Sequence, residues 1–115
     1  MNIVFHLAKC SSCQNILKEV QWPYAMQDIR IQKISLEQIE HMASLAGSYE
    51  ALFSRRAIKY KSMGLKHKTL SEDDYKTLIL EEDTFLKRPV FIIDDSIFIG
   101  SSKKTVEQLK MKLGE

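Results

Sequence analysis

The hydrophobic period of this chain changes from strand to helix and back, and the order of those changes restricts the fold more than any other feature. Ile3, Val4 and Phe5 form a short β-rich run that a turn around Lys9 ends. Ile16, Leu17 and Val20 then recur at helical spacing, with Ser11 or Ser12 as the expected cap. Trp22-Pro23 stops this helix, because the residue before a proline is pushed out of the α region. Ile29 and Ile31 alternate within 28–32 and predict a second strand. Ser35 and Gln38 make a capping box for a helix through Ile39, Met42 and Leu45 to Gly47. A further helical stretch is expected over about 49–62, ending at Gly64, and Ser71 to Asp74 open another with Tyr75, Leu78 and Ile79 inward. After Arg88-Pro89 the period returns to two: Val90 to Ile93, a turn at Asp94-Asp95-Ser96, and Ile97 to Ile99 predict a hairpin. Gly100 ends it, Ser101 or Ser102 caps a last helix, and Val106, Leu109 and Leu113 form its apolar face.

The order is therefore β-α-β, a helical block, then β-β-α. It predicts an α/β, thioredoxin-like (glutaredoxin-like) mixed four-stranded sheet, with a helical insertion over about 35–84 inside a single domain, 1–115. A chain of 115 residues buries roughly two-thirds of its unfolded surface and needs no disulfide or metal staple. Seventeen Lys and Arg against 15 Asp and Glu is too mild a balance for direct nucleic-acid binding. The longest apolar run, Val90 to Ile93, is far short of the ~20 residues of a membrane span. His6 interrupts the first apolar stretch and Lys9 follows it, which is unlike an export signal. A cytoplasmic monomer is expected.

Cys10 and Cys13 are the only cysteines, and both lie at the expected strand-to-helix junction. The reactive species is the thiolate, and three features favour it at Cys10: the helix start, the adjacent Lys9, and donors on Ser11, Ser12 and Cys13. Cys13, one turn on, shares a helix face with Cys10 and can attack a mixed disulfide formed there. The competing readings are half of a zinc site and a pair of inert buried thiols. Zinc needs four ligands, and only His6, His41 and His67 remain, with no second C-x-x-C, so no metal is expected. Arg55, Arg56, Lys59 and Lys61 also read plainly as a solvated basic face.

Several segments together resemble the arsenate reductase (ArsC) and Spx family of thioredoxin-like proteins. They are Cys10-x-x-Cys13-Gln14-Asn15, Glu50 to Arg56 with Tyr60 and Gly64-Leu65, Leu86 to Val90, and Ile99-Gly100. The resemblance implies a thiol–disulfide oxidoreductase in which Cys10 is the nucleophile and Cys13, or external glutathione or glutaredoxin, resolves the adduct. It assigns Arg56 and Arg88 to catalysis and an oxyanion or oxidised thiol as substrate, with Ser11, Ser12, Arg55 and Pro89 lining the substrate site. Pro89 would be cis. Guanidinium groups suit this task because their paired donors match tetrahedral oxyanions. No tightly bound cofactor is implied. His6 stands where some members carry a histidine, and Ser101 stands where arsenate-reducing members carry a further arginine. The alternative is an Spx-like redox-sensing regulator that binds RNA polymerase and uses Cys10 and Cys13 as a switch.

Overall fold

The computed structural model describes residues 2–115. The chain divides into two compact units, Met1–Gln32 with Arg88–Glu115, and Lys33–Lys87. The first unit holds β1 (Ile3–His6), α1 (Ser11–Val20), β2 (Ala25–Asp28), β3 (Val90–Ile93), β4 (Ser96–Ile99) and α5 (Lys103–Leu113); the other three α-helices belong to the second. Its four strands form one sheet in the order β2-β1-β3-β4. β1 and β2 run parallel, while β1–β3 and β3–β4 are antiparallel. This is the mixed four-stranded sheet expected.

Alternation along the strands selects what packs where. Val4, Phe91 and Ile93 meet Ile16 and Leu17 of α1 and Val106 and Leu109 of α5 in one buried cluster, which Val20, Trp22, Phe98 and Leu113 flank. Phe5, Val90 and Ile92 are buried on the opposite face of their strands. All four residues of β3 are buried, as befits a central strand. The hairpin turns at Asp94, whose φ of 53° is tolerated because a short Asp side chain visits the left-handed region more readily than most residues.

The second unit contains α2 (Leu36–Ala46), α3 (Ile58–Ser62) and α4 (Glu72–Glu81), with three single-turn 3₁₀ segments at Glu50–Leu52, Leu65–His67 and Asp83–Phe85. Ser35 caps α2 as expected: its hydroxyl accepts from the Gln38 amide at 3.1 Å, and the Gln38 side chain accepts from the Ser35 amide at 3.1 Å. Ser71 and Asp74 repeat the device on α4. Replacing Ser35 with Ala leaves the Gln38 amide without this partner and should lower unfolding free energy by about 1 kcal/mol in urea titration.

Three expectations are corrected. The second strand is Ala25–Asp28, not 28–32. The Asp28 carboxylate accepts from the Arg30 amide at 3.0 Å, and its carbonyl accepts from Gln32 at 2.8 Å, so the chain turns where strand was expected. Ile31 is consequently 86% exposed while Ile29 is buried. The helix expected over 49–62 is broken at Phe53, which is extended (φ −84°, ψ 129°) and bridges Leu86. The Ser54 amide donates to Phe85 and the Lys87 amide to Leu52, while the Phe53 ring stacks on Phe85 at 5.1 Å and tilts against Tyr75 at 4.9 Å. Long-range pairing and aromatic packing thus override helical propensity there. Finally, neither Ser11 nor Ser12 caps α1; Cys10 occupies the N-cap position and Ser11 is the first helical residue. At the last helix the expectation holds in its second form, because Ser102 accepts from the Thr105 amide at 3.2 Å.

Among the described residues, no helix is long and apolar enough to cross a membrane.

Candidate active site at Cys10

The turn after β1 is built to hold one sulfur at a helix tip. The Cys10 amide donates to the Leu7 carbonyl at 3.0 Å, and the Cys10 carbonyl accepts the first helical bond from Gln14 at 3.1 Å. Gln14 reaches back from α1 to the strand: its Nε2 donates to the Leu7 carbonyl at 3.0 Å and to Nδ1 of buried His6 at 3.2 Å. Asp28, at the end of β2, accepts from the Ala8 amide at 3.1 Å and ties the same turn from the other side. The Arg30 amide holds the Asp28 carboxyl below the usual carboxylate range against slight burial, with the Ala8 amide and the nearby His6 adding to the effect. Gln14 and Asp28 had no assigned role in the sequence. The signal for Gln14 was its place one residue past the C-x-x-C, and for Asp28 an Asp at the end of a strand.

The two sulfurs sit in different surroundings. Both are free thiols; Cys10 is half-buried and Cys13 is 0% exposed. Partial burial is the largest single influence on Cys10 and raises its pKa. Acting together, the Cys13 thiol, the Ser12 hydroxyl, the Cys13 amide and the positive charge of Arg88 outweigh it and bring the thiol from 9.0 to about 7. The Ser12 oxygen lies 3.3 Å from the Cys10 sulfur and donates to it once the thiol is ionised. For Cys13, burial dominates, and the bond to Cys10 adds to it; together they push the thiol up to about 12, although the Leu7 amide and the positive charge of Arg88 pull the other way. The pair therefore consists of one sulfur poised as thiolate and one that keeps its proton.

The remaining residues of the expected site divide between the units. Ser11, Ser12, Arg88 and Pro89 belong with the cysteines, and the Arg88–Pro89 peptide bond is cis. The Pro89 carbonyl accepts from Gly100 at 2.8 Å, which ties the loop after β4 to this segment. Arg55 and Arg56 belong to the second unit. The Arg55 guanidinium is engaged there, donating to Glu50 at 2.9 Å and to the Tyr75 hydroxyl at 3.0 Å; Arg56 is exposed. His41 and His67 are exposed. Among the described residues, no three His, Cys, Asp or Glu side chains are grouped to hold a metal ion.

A pH profile tests the thiolate directly. At pH 7 about half of Cys10 is ionised, against about 1% of a thiol titrating at 9.0. Nucleophilicity falls with pKa, by roughly tenfold for two units, so Cys10 should react with a small disulfide reagent roughly fivefold faster than a free cysteine peptide. The rate should rise with pH through a midpoint near 7 and then level off, and Arg88→Ala should move that midpoint upward. A midpoint at 9 with no change in the variant would disprove the proposed activation.

Known proteins are similar to this chain in sequence and in fold. The chain is 24% identical over 113 residues to global transcriptional regulator Spx 2 of Bacillus cereus, covering 94% of this chain and 86% of the relative. Its fold superposes on an ArsC-family-related protein from Bacteroides fragilis with a TM-score of 0.78 at 22% identity, covering 94% of this chain and 96% of the other. It superposes on arsenate reductase from Vibrio cholerae with a TM-score of 0.74 at 20% identity, covering 93% and 92%. These likenesses establish the thioredoxin-like fold. The ArsC family model matches residues 5–109, from β1 to within α5, and the chain belongs to the ArsC family.

Proposed function

We propose that this protein is a thiol–disulfide oxidoreductase with Cys10 as nucleophile, Cys13 as resolving thiol, and glutathione, directly or through glutaredoxin, as external reductant. The observation that carries this reading is the asymmetry of the pair: a half-exposed sulfur ionising near 7 beside a buried thiol that holds its proton. The Cys10 thiolate attacks one sulfur of an oxidised substrate; a new S–S bond forms as the old one breaks, and the leaving thiolate takes a proton from water. Cys13 is then released to act. Two of the causes that raise its pKa, its bond to the Cys10 sulfur and the charge there, vanish once Cys10 is in a mixed disulfide. Cys13 loses its proton, attacks the Cys10 sulfur and expels the second substrate thiol. The substrate has gained two electrons, and Cys10–Cys13 is a disulfide. Two glutathione thiols return it to the reduced pair and become glutathione disulfide.

Arg88 supplies positive charge to this centre and is the proposed donor to an anionic substrate; Arg56 takes the same role by family likeness, with Arg55, Ser11, Ser12 and Pro89 as proposed lining residues. The test is NADPH oxidation coupled through glutathione, glutaredoxin and glutathione reductase, with a glutathionylated peptide or arsenate as substrate. Turnover that disappears in Cys10→Ser supports the oxidoreductase. Arsenate turnover should be the weaker of the two, because Ser101 offers no guanidinium fork after β4.

The similarity to a global transcriptional regulator and the C-x-x-C itself favour a second reading, a redox-sensing regulator that binds RNA polymerase. A protein with no turnover on either substrate, a reversible Cys10–Cys13 disulfide and polymerase retained in a pull-down would support it over the enzyme.

A further inference from the structure

Charge is unevenly distributed along this chain. Residues 55–68 carry six of its 17 cations (Arg55, Arg56, Lys59, Lys61, Lys66 and Lys68) and none of its 15 acids. The second unit folds this segment around a cavity of about 410 Å³, lined by Arg55, Tyr60, Lys61, Gly64, Lys66 and His67. Gly64 makes the shape. It leaves α3 in the left-handed conformation (φ 66°) and reverses the chain into the turn Leu65–His67, so that Lys61 before it and Lys66 and His67 after it border one concavity. Leu65, buried beneath, anchors the turn. A Cβ built at Gly64 would meet nothing within 4 Å, which leaves the backbone open toward solvent.

The cationic groups here fall into two kinds. Glu50 and Tyr75 hold Arg55, whose guanidinium also lies 5.8 Å over the Tyr75 ring, and Glu82 pairs with Lys59. These groups are preordered and partly neutralised. Lys61 and Lys66 make no ion pair among the described residues, and no carboxylate lines the cavity. Its volume falls in the range of small-molecule sites, roughly 300–1,000 Å³. One fixed guanidinium, two exposed ammonium groups and an imidazole around a concave floor are the groups that recognise phosphate oxygens.

We propose that this cavity is a binding site for a small phosphate-bearing molecule. The shared chemistry is a di- or polyphosphate, either free or carried on a nucleoside whose base would lie along Tyr60. The experiment titrates the full-length protein, at low salt, with inorganic pyrophosphate and separately with ADP while amide NMR shifts are followed. Saturable shifts confined to residues 55–68 are expected. The Lys61→Ala/Lys66→Ala double variant should weaken binding roughly tenfold or more, whereas Lys110→Ala, on α5 and paired with Glu19, should not change it. Equal affinity for the two probes identifies phosphate alone as the ligand; ADP binding at least ten times tighter identifies the nucleotide. Both lysines are exposed and their loss should leave the fold intact, which the unchanged shifts of β1 and β3 in the variant would verify. Absence of saturable shifts with either probe, or an undiminished affinity in the double variant, would overturn the proposal.

Discussion

Cys10→Ser abolishes thiol–disulfide turnover, whereas Cys13→Ser leaves the first half of the reaction intact and traps it. This is the largest functional effect expected here, and the two variants differ for a physical reason. Serine at position 10 puts a hydroxyl where the thiolate stood, and its pKa is far too high for the hydrogen bonds and the Arg88 charge to ionise it near neutral pH. No covalent adduct forms. Serine at position 13 keeps a donor beside Cys10, so the Cys10 thiolate still attacks; without the resolving sulfur the mixed disulfide persists until external glutathione removes it. Incubation with glutathione disulfide followed by intact-mass spectrometry should show no adduct on Cys10→Ser, a stable glutathione adduct on Cys13→Ser, and an internal disulfide in the parent protein. An adduct of equal yield on Cys10→Ser would move the nucleophile to Cys13 and contradict the burial and ionisation of the pair.

Phe91→Ala is expected to cause the largest loss of stability. Phe91 is fully buried at the centre of the sheet, packs in the cluster with Val4, Leu17 and Leu109, and tilts against Trp22 at 5.1 Å between ring centroids. Truncation removes the transfer free energy of the ring and leaves a cavity that two helices and a sheet cannot close. The expected cost is about 3–5 kcal/mol, a large share of the ~5–15 kcal/mol that holds a domain of this size folded. Urea unfolding should show that loss as a lower midpoint with an unchanged slope. Ile31→Ala is the contrast: an isoleucine by composition, but 86% exposed, and its truncation should stay within about 0.5 kcal/mol. Equal effects at the two positions would mean that the face assignments of β3 and of the turn after β2 are wrong.

The comparison of Ile31 with Phe91 also shows where sequence reading stops. Both are apolar residues in short β-rich runs, and alternation alone placed Ile31 in a strand. The turn that removes it depends on Asp28, whose carboxylate holds the Arg30 amide and, across 20 residues, the Ala8 amide. The first of those bonds is local and was open to inference; the second exists only because β1 and β2 lie side by side. Phe53 makes the same point more strongly. Its neighbours favour helix, but an isolated bridge to Leu86 and stacking on Phe85, 32 residues later, hold it extended.

What the sequence determined by itself are the features set by contacts within one turn of chain. The caps at Ser35 and Ser71 and the C-x-x-C at a helix start depend on groups three or four residues apart, while the hairpin at Asp94-Asp95 and the order of strands and helices follow from local turn residues and the hydrophobic period. Only the tertiary structure decided the sheet order β2-β1-β3-β4, the break at Phe53 and the unequal burial of two cysteines one helical turn apart. Burial and electrostatic field are sums over neighbours brought together from distant parts of the chain. A thiol's ionisation follows that sum, so a tetrapeptide can name both sulfurs without showing how far apart their acidities lie.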